Sequence, residues 1–88
     1  MNHTFTIESD GGHGWLIVPL PMLAAVGLTT TDFSNYSYVD ADCAYLEEDC
    51  DLAIFGRAFE TKYSSRPTIV DRYVPGLSPI RRKARIHS

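Results

Sequence analysis

The sequence predicts a small α+β domain: an antiparallel-rich sheet with two helices on one face, in the order ββαββαβ. Three observations carry that expectation. Five short segments, most of them rich in β-branched and aromatic residues, are bounded by turn residues as strands are. Two others carry helix punctuation or a helical apolar stripe. With 88 residues, 44% hydrophobic and 22% charged, the chain can build one core and no more.

His3 to Glu8 alternates polar and apolar residues, with Phe5 and Ile7 on one side, and reads as an edge strand. Asp10-Gly11-Gly12-His13-Gly14 reads as a tight turn, since glycine tolerates the positive φ of hairpin connections. Trp15–Val18 is the partner strand, so residues 3–18 form a hairpin. Pro19 and Pro21 oppose helix before them, but a helix starts at Pro21 and runs through Met22–Val26. Gly27 is its left-handed stop and Leu28 the apolar contact beyond it. Apolar on nearly every side, this helix is expected to be buried.

Thr29–Asp32 and Ser34-Asn35 are turn chemistry. Tyr36–Val39 and Ala44–Glu47 read as a second hairpin closed by Asp40–Cys43. Asp49 is the expected N-cap of a helix running to about Tyr63, with Leu52, Phe55, Phe59 and Tyr63 as its core stripe. Gly56 costs this helix about 1 kcal/mol relative to alanine, which suggests close backbone packing. Arg66-Pro67 ends the pattern, and Thr68–Val74 reads as the last strand. Residues 1–76 are expected to be the domain and residues 77–88 a basic, flexible tail.

The longest apolar run, Trp15–Val26, is broken by Pro19 and Pro21 and falls short of the roughly 20 residues of a membrane span. Met1-Asn2-His3-Thr4 lacks the basic and apolar regions of a signal peptide, so a cytoplasmic location is expected. In that reducing compartment Cys43 and Cys50 are expected as free thiols.

The net charge of −3 conceals a separation. All 11 acids precede residue 80, where only Arg57, Lys62, Arg66 and Arg72 oppose them. Arg81, Arg82, Lys83 and Arg85 follow with no acid among them. Asp32, Asp40, Asp42, Glu47, Glu48, Asp49 and Asp51 crowd a stretch without a base. Three readings compete for this run: capping of a helix start, a binding face for a basic partner, and a divalent cation site. Capping leaves Asp40 and Asp42 unexplained, because they lie in the hairpin. The run lacks the alternating oxygen ligands and turn glycine of a calcium loop, so neither metal nor cofactor is expected.

Tyr36, Tyr38 and Tyr45 share one face of the second hairpin, opposite Val39, Ala44 and Leu46. Turned outward they make an aromatic interface patch; turned inward they simply suit strands. His13 is accessible in its glycine turn, but no second metal-type cluster accompanies it in the sequence. The glycines are no phosphate loop, because a strand follows rather than a Lys-Ser/Thr pair opening a helix. Cys50 is flanked by Asp49 and Asp51, which oppose the thiolate a nucleophile needs. No catalytic residue is expected. Arg81, Arg82, Lys83 and Arg85 either neutralise the acidic body or touch nucleic-acid phosphates.

Gly12-His13-Gly14-Trp15-Leu16-Ile17-Val18-Pro19, Tyr36-Ser37-Tyr38 and Tyr45-Leu46-Glu47-Glu48-Asp49-Cys50-Asp51 resemble a group of small bacterial and phage proteins. These form a domain of unknown function with a Gly-Trp-Leu-x-Val, Tyr-Ser-Tyr and Tyr-Leu-Glu-Glu-Asp core. The resemblance spans residues 5–74, carries no catalytic motif and implies a mobile-element accessory protein. Small acidic proteins of that origin include inhibitors of host defence such as anti-CRISPR proteins, which act in the host cytoplasm. The expected function is non-enzymatic binding of a host protein or ribonucleoprotein complex with a basic surface. Tyr36, Tyr38, Asp40, Asp42, Tyr45, Glu47, Glu48, Asp49 and Asp51 are its candidate contacts. The alternative is a nucleic-acid-binding or regulatory module working through the tail.

Overall fold

The computed structural model describes residues 3–87. Strands β1 (Thr4–Ser9), β2 (Gly14–Pro19), β3 (Tyr38–Val39), β4 (Cys43–Glu47), β5 (Thr68–Tyr73) and β6 (Ala84–Arg85) form one mixed sheet. Its order is β5-β1-β2-β4-β3-β6. Helices α1 (Leu20–Ala25) and α2 (Leu52–Tyr63) and two short 3-10 turns complete a small α+β domain. Both expected hairpins form, and β4 pairs with β2 so that Trp15 faces Glu47 and Pro19 faces Cys43.

Strand alternation sends Phe5, Ile7, Leu16, Val18, Ala44 and Leu46 to one face. There they meet Leu23 of α1 and Phe55 and Phe59 of α2, so both helices cover the same side. The rings interlock edge-to-face: Phe5 and Phe55 stand 5.3 Å apart at 83°.

Gly27, at φ 82°, ends α1. The Gly27 N–H donates to Ala24 O at 3.0 Å and the Leu28 N–H to Leu23 O at 2.9 Å, satisfying carbonyls the helix leaves open. The helix is less enclosed than its composition suggests: within it only Leu23 is buried.

Four expectations are corrected. First, β1 is not an edge: β5 adds to it in parallel after α2 crosses the sheet, so β5 is the edge strand, exposed along its whole length. Second, α2 begins at Leu52 with Asp51, not Asp49, at its N-cap, because Glu48–Asp51 form a turn. No carboxylate caps the helix through its side chain, and none lies in its first turn. Capping therefore does not account for the acidic run. Third, Gly56 has no close neighbour: a Cβ there meets nothing within 4 Å. It borders an open groove between α2 and β5, lined also by Leu52, Ala53, Pro67 and Ile69.

Fourth, the basic C-terminal segment is built into the fold. Pro79–Arg82 form a 3-10 turn, Ile80 is 3% exposed, and Ala84–Arg85 pair antiparallel with β3. The physical reason is pairing: Arg81 on the 3-10 turn, Lys83 after it and Arg85 on β6 each meet an aromatic ring, and Arg81 and Lys83 also meet a carboxylate.

Gly56→Ala should stabilise the protein by about 1 kcal/mol, since a methyl meets open space and the helix loses its most flexible residue. Urea unfolding followed by circular dichroism checks it; an unchanged or lower midpoint contradicts it.

Candidate functional site

The face away from the helices carries Trp15, Tyr38 and Tyr45, and Ile80 packs among them. A free face of this kind would expose a large apolar patch; here residues 78–83 lie across it as a strap that runs on into the edge strand β6. Three cations of the strap sit over three rings: Arg81 over Trp15 at 5.0 Å, Lys83 over Tyr45 at 4.9 Å and Arg85 over Tyr38 at 5.1 Å.

Each hairpin turn supplies an aspartate that holds the strap. Asp10 accepts from the Gly12 and His13 N–H groups at 2.9 and 3.0 Å, which shapes the β1–β2 turn. The same carboxylate takes Arg81 in a fork at 2.7 and 2.9 Å and the Ser78 N–H at 2.9 Å. Gly12 permits the approach, because a Cβ there would stand 3.1 Å from the Arg81 guanidinium. Close contact, rather than positive φ, explains this glycine. Asp40 repeats the plan in the β3–β4 turn. It accepts from the Asp42 and Cys43 N–H groups at 2.9 and 2.8 Å, from the Tyr45 hydroxyl at 2.5 Å and from Lys83 at 2.9 Å.

These contacts favour the ionised carboxylates. Arg81 first, then the backbone donors, hold Asp10 far below the usual range. The Tyr45 hydroxyl and then Lys83 do the same for Asp40. Burial and Asp40 push the Tyr45 phenol up to about 12, so it stays a donor. Glu8, 8% exposed, is pushed up by burial, but Ser78 and Arg72 outweigh that and the net shift is downward.

The proposed contact residues therefore do not share one open surface. Tyr38 and Tyr45 are buried under the strap, and Asp40 is its anchor. Asp51 is 1% exposed and accepts from the Ser34 N–H and hydroxyl and from the Ser37 hydroxyl, tying β3's approach to the start of α2. Glu47 is 4% exposed. Tyr36, Asp42, Glu48 and Asp49 remain exposed, Asp42 at one end of β4 and Glu48 and Asp49 at the other, roughly 20 Å away at the strand rise. Of the tail cations, Arg81 and Lys83 are bound to carboxylates, Arg85 donates to Asn35 O at 2.8 Å, and Arg82 is exposed.

Topology also gathers residues that sequence order separates. The His13 ring, the Glu47 carboxylate and the Asp49 carboxylate place their ligand-type atoms within 4.8 Å of one another. Thus His13 does have metal-type companions, supplied by the β4–α2 turn because β2 and β4 are neighbours. Cys50 is exposed beside this group; loss of hydration and the carboxylates of Glu47, Asp51 and Asp49 push its thiol up, away from nucleophile chemistry. Both cysteines are free thiols.

No protein-family profile, curated protein or solved structure matches the chain. No helix among the described residues is long and apolar enough to cross a membrane. Sequence reasoning missed Asp10, Trp15, Ser78 and Ile80 as strap contacts. The signal available was the alternation of Arg81, Lys83 and Arg85 behind a single apolar Ile80.

Because folding lowers the Asp10 and Asp40 pKa values, their stabilisation is complete above the ordinary carboxylate range, about pH 4, and is lost as pH falls below it. Urea midpoints should therefore drop on acidification below that range. Asp40→Asn should lower the midpoint at neutral pH and flatten the acid limb; an acid limb as steep as wild type contradicts the assignment. Arg81→Ala should shift Trp15 emission to the red as its cover is lost, and fluorescence at equal protein concentration checks it.

Proposed function

We propose that this chain is a non-enzymatic binding protein that occupies a basic, nucleic-acid-binding surface of a host protein or ribonucleoprotein complex. In the setting that the sequence resemblance implies, it is a mobile-element inhibitor of host defence, anti-CRISPR-like in action. The supporting observation is the uneven use of charge. Among the described residues four ion pairs, Arg66–Glu60, Arg72–Glu8, Arg81–Asp10 and Lys83–Asp40, consume cations within the chain. Asp42, Glu48 and Asp49 are exposed and have no cationic partner among the described residues.

Glu48 and Asp49 sit at the sheet end to which Tyr36 also belongs, and Tyr36 is 65% exposed. Carboxylates there present to a cationic groove what phosphates otherwise present, and Tyr36 adds an amphipathic contact of low entropy cost. Such pairing steers encounter and weakens with salt. The tail is the poorer nucleic-acid ligand, because binding phosphate through Arg81 or Lys83 first requires breaking their bonds to Asp10 or Asp40.

Glu48→Lys with Asp49→Lys should abolish capture of basic nucleic-acid-binding proteins from host lysate while the thermal midpoint stays near wild type. Proteins captured by wild type should be released by added single-stranded oligonucleotide. Equal retention by the reversed variant, read by mass spectrometry, overturns the proposal.

A further inference from the structure

We infer that His13, Glu47 and Asp49 form a binding site for a divalent first-row transition ion of the zinc type. The site exists because two turns meet at one end of the sheet. Trp15 of β2 stands opposite Glu47 of β4, and the Glu48 N–H donates to Gly14 O at 2.9 Å. Gly14 is what lets them close: a Cβ there would lie 2.8 Å from the Ser9 hydroxyl and 2.9 Å from a Glu48 carboxylate oxygen.

Two independent observations point to a cation. The first is the donor set, one imidazole nitrogen and two carboxylates with mutual separations within 4.8 Å. Ligands around such an ion stand about 3.5 Å apart, given bonds of roughly 2.0–2.2 Å. Glu47 is the fixed member, while His13 and Asp49 are exposed and have rotamer freedom to close the remaining gap.

The second is the electrostatic state of Glu47. Buried charges are paired or coordinate metals. Glu8 and Asp10, similarly buried, each have an arginine, and Asp51 has the hydroxyls of Ser34 and Ser37. Glu47 has no cationic partner among the described residues; its hydrogen-bonded donor is the Asp49 N–H, at 2.7 and 3.3 Å to its two oxygens. A carboxylate offers about four acceptor positions, and this one is used by the Asp49 N–H and the weak thiol donor of Cys50, neither of which carries a positive charge. The Asp49 N–H also orients it, as outer-sphere donors orient ligating carboxylates.

Imidazole with two carboxylates suits zinc, cobalt, nickel or manganese; calcium asks for six or more oxygens, which this corner lacks. Three protein ligands leave a fourth position for water or for a donor from a partner. The site does not rest on the partner-binding reading: that reading needs the carboxylates of Glu48 and Asp49, whereas the ion also needs His13.

The full chain, treated with chelator and dialysed, is titrated with Zn²⁺ by calorimetry and with Co²⁺ by fluorescence. The single tryptophan, Trp15, reports binding because its ring lies 6.0 Å from that of His13. One ion per chain is expected, with Co²⁺ quenching Trp15 and Zn²⁺ reversing the quench. His13→Ala and Glu47→Gln should each weaken binding by about 100-fold, at or above the loss typical of outer-sphere partners, while Asp42→Asn binds as wild type. Thermal melts of both variants confirm folding; His13 lies in an exposed turn, and glutamine keeps an acceptor for the Asp49 N–H. Absence of saturable binding at submillimolar ion overturns the inference. So does wild-type affinity in His13→Ala, which would mean carboxylates alone attract the ion. His13→Ala keeps Glu48 and Asp49, so lost ion binding with retained partner capture separates the two proposals.

Discussion

The carboxylate of Asp10 joins the first turn of the chain to its C-terminal strap, and much of the structure depends on that junction. One group shapes the β1–β2 connection through two backbone donors and fixes Ser78 and Arg81 through three more bonds. With Arg81 in place, its guanidinium lies on Trp15 and Ile80 enters the second core. Without it, the aromatic face of the sheet would stand open to water. The interaction is strong because Asp10's side chain is fully buried and its charge is matched by a planar fork rather than a point charge.

Asp40 does the same work at the other end of the sheet, with Lys83 and Tyr45 in place of Arg81 and Ser78. The two aspartates explain how so short a chain covers both faces of its sheet although α1 and α2 lie on the same one. One face is closed by apolar packing, the other by a basic strand whose stems and charges serve different partners. The division sets the surface electrostatics too. Cations that would balance the acidic run are drawn to the aromatic face, so Asp42, Glu48 and Asp49 stay uncompensated.

The hairpins, the Phe55–Phe59 stripe and the Gly27 stop were legible in the sequence because each depends on spacing within one segment. What was not legible depends on pairing between segments. Asp49 has the chemistry of an N-cap, but four turn residues after β4 carry the start of α2 past it to Asp51. Asp40 and Asp42 look alike in sequence, yet one is an anchor and the other free, because only Asp40 points along the turn toward Lys83. The companions of His13 lie more than thirty residues away, and only the β2–β4 register brings them to it.

The strap has a kinetic consequence. Asp10 and Arg81 are 71 residues apart in the chain, and Glu8 and Arg72, joined beside them, are 64 apart. Nearly the whole chain must be looped before either pair rewards the entropy of bringing its ends together. The β1–β2 hairpin and α2 need only local contacts and are expected to form early, whereas the aromatic face needs the far end of the chain and is expected to close last. Contacts made after the folding barrier govern how fast the native state opens. On that order Arg81 and Lys83 would act as latches on unfolding, with the persistence of the folded protein set where its two acidic turns grip the strap.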